Sequence, residues 1–343
     1  MAADKFMKRN SYDFQKPSLQ LFAFVLVLLG ILLLVFEYLL QIPKVVSLLP
    51  PPSPGLSYSF PEVGLKFERY FNLGHVNCLF FGSSMVDAGL DPELMEKRLN
   101  NQNKRPITCI NFGLSGAQVE TSSEISQTMV NWQTTNLVLF GVSPYEFNEG
   151  NKISRQMANV PVFQKTHKYN FESWLFNSFR LPWFYSGLLN RKDRDFITTE
   201  QSYDKLLNSR GVRVTDEKNE LETKKQEFLF HDFYPNSVDI NSLDEMIKFM
   251  QEKGIKVIVF EMPVNPLFFP GLVEGGAPMY EIRFVEPIKN LLQKYGLSLI
   301  RTQPRIGDIL DEEHWNNKNH MNYSGAQIFT NFVADQILQQ GDW

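Results

Sequence analysis

Cysteine is scarce in this chain of 343 residues: only Cys78 and Cys109 are present. Two cysteines cannot form the dense disulfide framework of a small secreted scaffold, so that class of protein is excluded. Both cysteines lie in apolar, strand-like stretches, where a small thiol packs like an apolar side chain. We therefore expect two buried thiols, with a cross-strand disulfide as the alternative.

Excess positive charge is also lacking. The chain has 34 Lys and Arg against 38 Asp and Glu, a net charge of −4. This balance gives no argument for nucleic acid, and we expect no such partner. The sequence has no glycine-rich phosphate-binding loop, no spacing typical of metal ligands and no evident internal repeat. We expect no cofactor and no metal.

One long apolar run is present near the amino terminus. Residues 17–36 are 20 residues without a charge, and the apolar character continues to Ile42 past a single Glu37. At about 1.5 Å per residue, such a helix matches the roughly 30 Å hydrocarbon core of a bilayer. The run predicts a transmembrane helix over residues 18–42. A cleaved signal peptide is the alternative, but the run is long for one and no small-residue cleavage site follows.

The charges before this run predict its orientation. Residues 1–17 hold four basic and two acidic side chains, so the positive-inside rule places them in the cytoplasm. Residues 43–62 are rich in proline, which predicts a semi-rigid stalk. The prediction is a single-pass membrane protein whose main domain, residues 63–343, is extracytoplasmic.

Strand-like and helix-like stretches alternate through this domain. The alternation predicts an α/β fold, doubly wound, with about five parallel strands and helices on both faces of the sheet. Residues 149–240 break the rhythm and predict an insertion after the third strand. Its first part is aromatic, which is typical of core packing but also of a lipid contact or an acyl pocket. The predicted strands lie near residues 78–82, 107–111, 137–142, 255–260 and 297–300.

Serine and histidine are expected at one edge of this sheet. The first strand stops at Gly82, Ser83 and Ser84, and His320 lies in the loop before the last predicted helix. Ligands of open α/β sheets bind at the carboxyl ends of the strands. A serine hydroxyl is a poor nucleophile until a base removes its proton, and His320 is the imidazole expected to face the same edge.

Together these pieces resemble the SGNH or GDSL hydrolase superfamily. The GSSM sequence of residues 82–85 matches the nucleophile turn of that family, and Gly116 matches the glycine after its second strand. Residues 141–143, GVS, approximate its third block. His320 with the downstream Gly325 matches its last block.

The resemblance implies roles for four residues. Ser84 would be the nucleophile and His320 the base. The backbone N–H groups of Ser84 and Gly116, with Ser143 in the position of the family's Asn, would stabilise the oxyanion.

Two positions depart from the family pattern. Ser143 replaces an Asn, and Asn317 stands three residues before His320, where the family has an Asp. An Asn can accept a hydrogen bond from the imidazole but supplies no charge to stabilise its protonated form. Asp311, in the same loop, is the alternative acid. We treat His314, which completes a second Asp-x-x-His with Asp311, as a coincidental match because the downstream Asn and Gly are missing.

The resemblance covers about residues 74–146 and 250–340 and implies a flavodoxin-like, SGNH-like sheet. With its anchor and stalk, the chain resembles the extracytoplasmic branch that O-acylates cell-surface polysaccharides, including teichoic-acid D-alanylation and alginate-acetylation proteins. This implies a serine O-acyltransferase or esterase acting on a cell-envelope glycan or lipid, beside a membrane-bound O-acyltransferase. Two alternatives stay open: a catalytically silent SGNH-like binding or assembly subunit of a membrane complex, favoured by Asn317 and Ser143, and a plain esterase or lipase, favoured by the aromatic insertion.

Overall fold

A five-stranded parallel sheet forms the centre of the domain, with strand order β2-β1-β3-β4-β5. This is the flavodoxin-like, doubly wound order, and it confirms the predicted α/β fold. The computed structural model describes residues 19–50, 52–53, 61–101, 106–132, 135–148, 171–190, 210–213, 230 and 233–340. The strands are β1 (Cys78–Gly82), β2 (Cys109–Gly113), β3 (Leu137–Val142), β4 (Lys256–Glu261) and β5 (Leu299–Ile300).

Helices connect the strands and pack on the sheet. Every residue of β1, β2 and β3 is buried, as expected of parallel strands covered on both faces. The helices are α1 (Leu19–Leu39), α2 (Pro43–Val46), α3 (Pro61–Leu73), α4 (Ser84–Gly89), α5 (Pro92–Asn100), α6 (Val119–Trp132), α7 (Phe171–Ser178), α8 (Leu181–Asn190), α9 (Ser237–Glu252), α10 (Gly276–Tyr280), α11 (Glu286–Gln293) and α12 (Tyr323–Gln339). A π-helical turn, Glu281–Val285, joins α10 to α11, and 3₁₀ turns cover Phe269–Gly271, Gln303–Asp308 and Glu312–His314.

The two cysteines form a disulfide, which corrects the expectation of free thiols. Cys78 on β1 and Cys109 on β2 are direct partners in the parallel register, with their Cα atoms 4.3 Å apart. The sequence shows that both residues lie in strands, but only the pairing of β1 with β2 brings the two sulfur atoms together.

The segment after α1 packs against the domain, which differs from the predicted stalk. Helix α2 contacts α3, and Val46 at its end is buried. The backbone N–H of Ser53 donates to the carbonyl of Trp183 at 2.9 Å. Residues 51 and 54–60 of the predicted stalk, and the predicted cytoplasmic residues 1–17, lie outside the described residues.

Part of the predicted insertion is described. Helices α7 and α8 fall within it, and α9 begins at Ser237, before the predicted end of the insertion at residue 240. The side chain of Asn236 accepts the backbone N–H of Val238 at 2.8 Å and caps this helix. Residues 149–170, 191–209, 214–229 and 231–232 lie outside the described residues.

Glycines near the carboxyl ends of three strands let α4 approach the sheet closely. A Cβ atom on Gly113 would lie 2.3 Å from the backbone nitrogen of Asp87 in α4. A Cβ atom on Gly82 or on Gly141 would lie 2.4 Å from Cγ2 of Val86 in the same helix. Helix α4 therefore lies closer to the sheet edge than any larger residue at these positions allows.

We expect Gly113→Ala to destabilise the domain by about 1–3 kcal/mol, because the added methyl group meets backbone atoms that can move only with α4. Urea unfolding of the detergent-solubilised chain measures this. Gly307→Ala is the matched control, since its Cβ would meet nothing closer than Cγ of Pro266 at 3.8 Å. Equal effects of the two substitutions would contradict the close approach of α4.

Candidate active site

Ser84 is the first residue of α4, at the carboxyl edge of the sheet. Ser83 precedes it as the helix N-cap, and its Oγ accepts the backbone N–H of Met85 at 3.3 Å. The chain can turn sharply from β1 into α4 because Gly82 adopts φ +148°, a conformation that L side chains rarely adopt. The turn leaves the side chain of Ser84 half-buried.

His320 meets Ser84 at this edge. Its Nε2 atom lies 2.8 Å from Oγ of Ser84, although 236 residues separate them in the chain. A tight turn holds the imidazole: the backbone N–H groups of Asn316 and Asn317 donate to the carbonyl of His320 at 2.9 and 3.2 Å. The structure thus brings together the two residues that the sequence predicted as nucleophile and base.

Asn317 sets the tautomer of His320. The side-chain oxygen Oδ1 of Asn317 accepts the backbone N–H groups of Asn319 at 3.1 Å and of His320 at 3.0 Å. Two fixed donors at this atom require an oxygen, so the amide cannot turn its NH₂ group toward them. Nδ1 of His320 lies 3.0 Å from the same oxygen and must carry the proton. Nε2 therefore presents its lone pair to Ser84, as a general base does.

Burial, together with the nearby positive charge of Arg213, lowers the pKa of His320 to about 4, although Asp87 acts in the opposite direction. The imidazole is therefore neutral at pH 7, which is the state that can take a proton. With so low a pKa it is also a weak proton acceptor.

Asp311, the alternative acid, is not the partner of the His320 imidazole in this structure. Its side chain is exposed, and its backbone N–H donates to Nδ1 of His314 at 3.1 Å. Ligand atoms of Asp311, Glu313 and His314 lie within 4.8 Å of one another, but an exposed acidic loop is too weak a basis for a metal site. Asn317 is the side chain that contacts Nδ1 of the imidazole.

The side chain of Ser143 does not face the substrate side of the site as the resemblance implies. Ser143 is fully buried, and both its N–H, at 2.8 Å, and its hydroxyl donate to Oε2 of Glu146. The hydroxyl of Ser83 donates to the other oxygen, Oε1. Burial raises the pKa of Glu146. Sequence reasoning missed Glu146 because it lies beyond the family motif, and only the fold places it between the ends of β1 and β3.

Gly116 lies in the turn after β2, with φ +72°, a conformation that suits glycine. Strand β2 is the neighbour of β1, so this turn follows the adjacent strand at the same sheet edge. The preceding residue, Ser115, donates its N–H to both carboxylate oxygens of Glu62 at 3.2 Å. Glu62 is buried, and desolvation, with the charge of Asp87, raises its pKa to about 7.

A buried ion pair joins α4 to α3. Nζ of Lys66 in α3 lies 2.6 Å from Oδ1 of Asp87 in α4, and both side chains are fully buried. Lys66 also donates to the carbonyl of Gly211 at 2.8 Å. Nε of Arg213 lies 3.2 Å from the other carboxylate oxygen of Asp87. The sequence offered no signal for this cluster, since its members come from three distant segments.

The side chain of Asn111 on β2 also holds α4. Its amide nitrogen donates to the carbonyls of Val86 at 2.8 Å and of Leu90 at 2.9 Å. Its amide oxygen accepts the N–H of Gly113 at 2.8 Å. These bonds satisfy carbonyl groups at the end of a short helix, which have no partner within it.

Fold and site together define an α/β domain with a serine–histidine pair at the carboxyl edge of its parallel sheet. No protein-family model matches the chain, and no curated protein matches it. Among solved structures, it is similar to LAE5, an alpha/beta hydrolase from the metagenome of Lake Arreo in Spain, with 14% identity, a TM-score of 0.39, and coverage of 77% of this chain and 97% of that one. A catalytic mutant of Axe2, an acetylxylan esterase from Geobacillus stearothermophilus, shows 13% identity, a TM-score of 0.38, and coverage of 76% and 93%. Likenesses this distant carry no argument about activity.

We expect Asn317→Asp to raise the pKa of His320 by about one to three units, because a carboxylate beside the imidazole stabilises its charged form. The acid limb of the pH–rate profile should move up by that amount, and the rate at neutral pH should stay equal or rise. The measurement is the rate at which a fluorophosphonate probe labels Ser84 across the range from acid to mildly alkaline pH.

Asp311→Asn is the matched control for Asn317→Asp, and we expect its pH profile to be unchanged. A loss of labelling in Asp311→Asn, with Asn317→Asp neutral, would show that Asp311 is the acid partner.

Proposed function

We propose that this protein is a membrane-anchored SGNH-type acyltransferase or esterase that carries an acyl group on Ser84. The observation that carries the proposal is the 2.8 Å contact between Oγ of Ser84 and Nε2 of His320. Asn317 fixes the imidazole in the tautomer that this chemistry needs. A hydrogen-bonded serine and imidazole with an orienting third group is the arrangement that activates a serine nucleophile.

The proposed reaction has two half-reactions. Nε2 of His320 takes the hydroxyl proton of Ser84 while Oγ forms a bond to the carbonyl carbon of the donor ester. Collapse of the tetrahedral intermediate breaks the bond to the leaving oxygen, which receives the proton from His320. A hydroxyl of the acceptor, or water, then gives its proton to His320 while its oxygen bonds to the acyl carbon. Collapse of this second tetrahedral intermediate breaks the bond to Oγ of Ser84, which takes the proton back from His320.

The backbone N–H groups of Ser84 and Gly116 are the proposed donors to the oxyanion. Ser143 is left out of this role, because both its donors bind Glu146. Glu146 has a positioning role in the proposal: by accepting from Ser83 and Ser143, it ties the turn after β1 to the end of β3.

The contacts at the end of α1 support an uncleaved anchor. By length and composition, α1 can cross a membrane. Its Glu37 carboxylate accepts the backbone N–H of Arg180 at 2.9 and 3.0 Å and of Leu181 at 3.1 Å, and the adjacent Leu40 is buried in the domain. Cleavage after α1 would remove Glu37 from these N–H groups, and this loss of contacts supports the proposal that the helix is retained.

The disulfide between Cys78 and Cys109 supports an extracytoplasmic domain, since disulfides persist in oxidising compartments. This agrees with the orientation proposed from the charges of residues 1–17. A cell-envelope glycan or lipid is the proposed acceptor and a membrane-bound O-acyltransferase the proposed partner; both come from the sequence resemblance.

A catalytically silent binding or assembly subunit is the second candidate function. The specific observation that favours it is the amide of Asn317 in the acid position, since this side chain supplies no charge to His320. The burial of Ser143 against Glu146 adds to it, because the side chain in the place of the family's third oxyanion donor is turned away from the site.

We expect a fluorophosphonate probe to label the purified chain at Ser84, and Ser84→Ala to abolish both the labelling and the acylation of the cell envelope. Ser298→Ala, at an exposed serine near the opposite edge of the sheet, should leave both unchanged. Full envelope acylation in cells that carry Ser84→Ala would end the acyl-transfer proposal and favour the silent subunit.

We expect a single span with the domain outside. A reporter that is active only in the cytoplasm, fused after Trp343, should be silent, whereas the same reporter fused ahead of Met1 should be active. The opposite pattern would exclude an envelope substrate.

A further inference from the structure

Helices α7 and α8 form a hairpin with two apolar faces, of which only one is covered in the described part of the chain. On the inner face, Phe176, Trp183 and Phe184 are buried. The ring of Trp183 lies 4.2 Å from that of Phe67 in α3, and the ring of Phe184 lies 5.2 Å from that of Phe71, measured between centroids. The inner face therefore attaches the hairpin firmly to the domain.

The outer face of the hairpin exposes several large apolar side chains. Phe171 is 73% exposed and Leu188 is 52% exposed. The only charged side chain described in the hairpin is Arg180, which is buried. Scattered exposed apolar residues are normal, but a cluster on one short hairpin marks an interaction surface. We call these residues the outer patch: Phe171, Trp174, Tyr185, Leu188 and Leu189.

The hairpin is bonded to the last turns of α1. The connection between α7 and α8 donates the backbone N–H groups of Arg180 and Leu181 to Glu37. The guanidinium of Arg180 donates to the carbonyl of Leu40 at 3.1 Å. The turn of the hairpin thus lies at the level where the apolar helix ends.

The length of α1 fixes this level relative to a bilayer. Its 21 residues span about 31 Å at 1.5 Å per residue, close to the thickness of the hydrocarbon core. Glu37 then falls at the boundary between acyl chains and headgroups, where a charged side chain is tolerated. Tryptophan and tyrosine concentrate at this boundary, and amphipathic helices lie in its plane.

We propose that the outer patch docks onto the lipid surface of the membrane that α1 crosses. The occupant is lipid rather than a protein, because the hairpin that carries the patch is hydrogen-bonded at its turn to the end of the apolar helix. This inference rests on the anchor in the proposed function, but not on the chemistry of Ser84. Docking holds the domain at two points, α1 and the hairpin, and prevents it from turning freely about a single helix.

The same contacts set the orientation of the candidate site. Helix α3 lies between the hairpin and α4: Phe67 packs on Trp183, while Lys66, one residue away, pairs with Asp87 of α4 at 2.6 Å. A docked hairpin therefore fixes the height and direction of Ser84 above the bilayer. Such a site suits an acceptor held at a constant distance from the membrane, such as a glycan on a lipid anchor.

Spin labels on the full chain in phosphatidylcholine–phosphatidylglycerol nanodiscs test the proposal. The variant Leu188→Cys carries a nitroxide label in the outer patch, and Ile282→Cys carries it at a matched exposed apolar position outside the patch. A third variant, Val27→Cys, carries the label in the middle of α1. Power saturation measures collisions with oxygen, which enriches in lipid, and with a water-soluble nickel complex. We expect the label at position 188 to collide several-fold less with nickel, and more with oxygen, than the label at position 282.

Each other outcome overturns the inference. Equal nickel accessibility at positions 188 and 282 places the outer patch in water. Exclusion of both reagents at position 188, with dipolar broadening that disappears when labelled chains are diluted with unlabelled ones, assigns the patch to a second copy. Exclusion of both without broadening assigns it to another protein surface. A label at position 27 open to nickel removes the anchor as well. Fluorophosphonate labelling of Ser84 tests the proposed chemistry independently of the spin labels. Failure of the docking proposal can therefore be distinguished from failure of the proposed function.

Discussion

The buried ion pair between Lys66 and Asp87 is the interaction on which the structure around the candidate active site depends. Neither charge is accessible to water, so each needs the other and further polar partners to offset its lost hydration. Lys66 also binds the carbonyl of Gly211, and Asp87 also pairs with Arg213. Removing Asp87 would take away the carboxylate that pairs with the buried Lys66, and breaking a buried pair in this way costs roughly 3–5 kcal/mol in comparable cases. One pair thus joins α3, the insertion and the nucleophile helix.

The serine–histidine pair shows how geometry can compensate in part for a missing charge. A triad needs its third member to hold the imidazole in one tautomer and to stabilise the imidazolium. Asn317 performs the first task, because two backbone N–H groups lock its oxygen toward His320. It cannot perform the second, and the low pKa of His320, about 4, follows from burial without a counter-charge in contact. The imidazole of His320 is therefore oriented to act as a general base toward Ser84, but it is a weak proton acceptor.

Helix α4 can lie this close to the sheet because three strand ends carry glycine, which has no side chain. Gly82, Gly113 and Gly141 each lie where a Cβ atom would collide with α4. The bare backbone at these positions lets the first turn of the helix reach the strand ends, so that Ser84 meets His320 at hydrogen-bonding distance. Glu146 then joins the neighbouring turns through Ser83 and Ser143, in a buried hydrogen-bond network at the edge of the sheet.

Local patterns in the sequence determined the strands and their order along the chain, because buried runs ending in glycine and serine report a strand end without any long-range information. The pairing of Ser84 with His320 was predicted from the resemblance of the motif blocks, not from a local pattern. Local patterns also determined the apolar helix, since a run of 20 uncharged, mostly apolar residues is as long as a bilayer core is thick. Tertiary structure alone decided the rest. The disulfide required the register of β1 against β2, and the packing of α2 required the surface of α3. The burial of Ser143 against Glu146 and the Lys66–Asp87 pair depend on how the helices cross the sheet. No local pattern of residues encodes that crossing, because separation along the chain says nothing about distance in space.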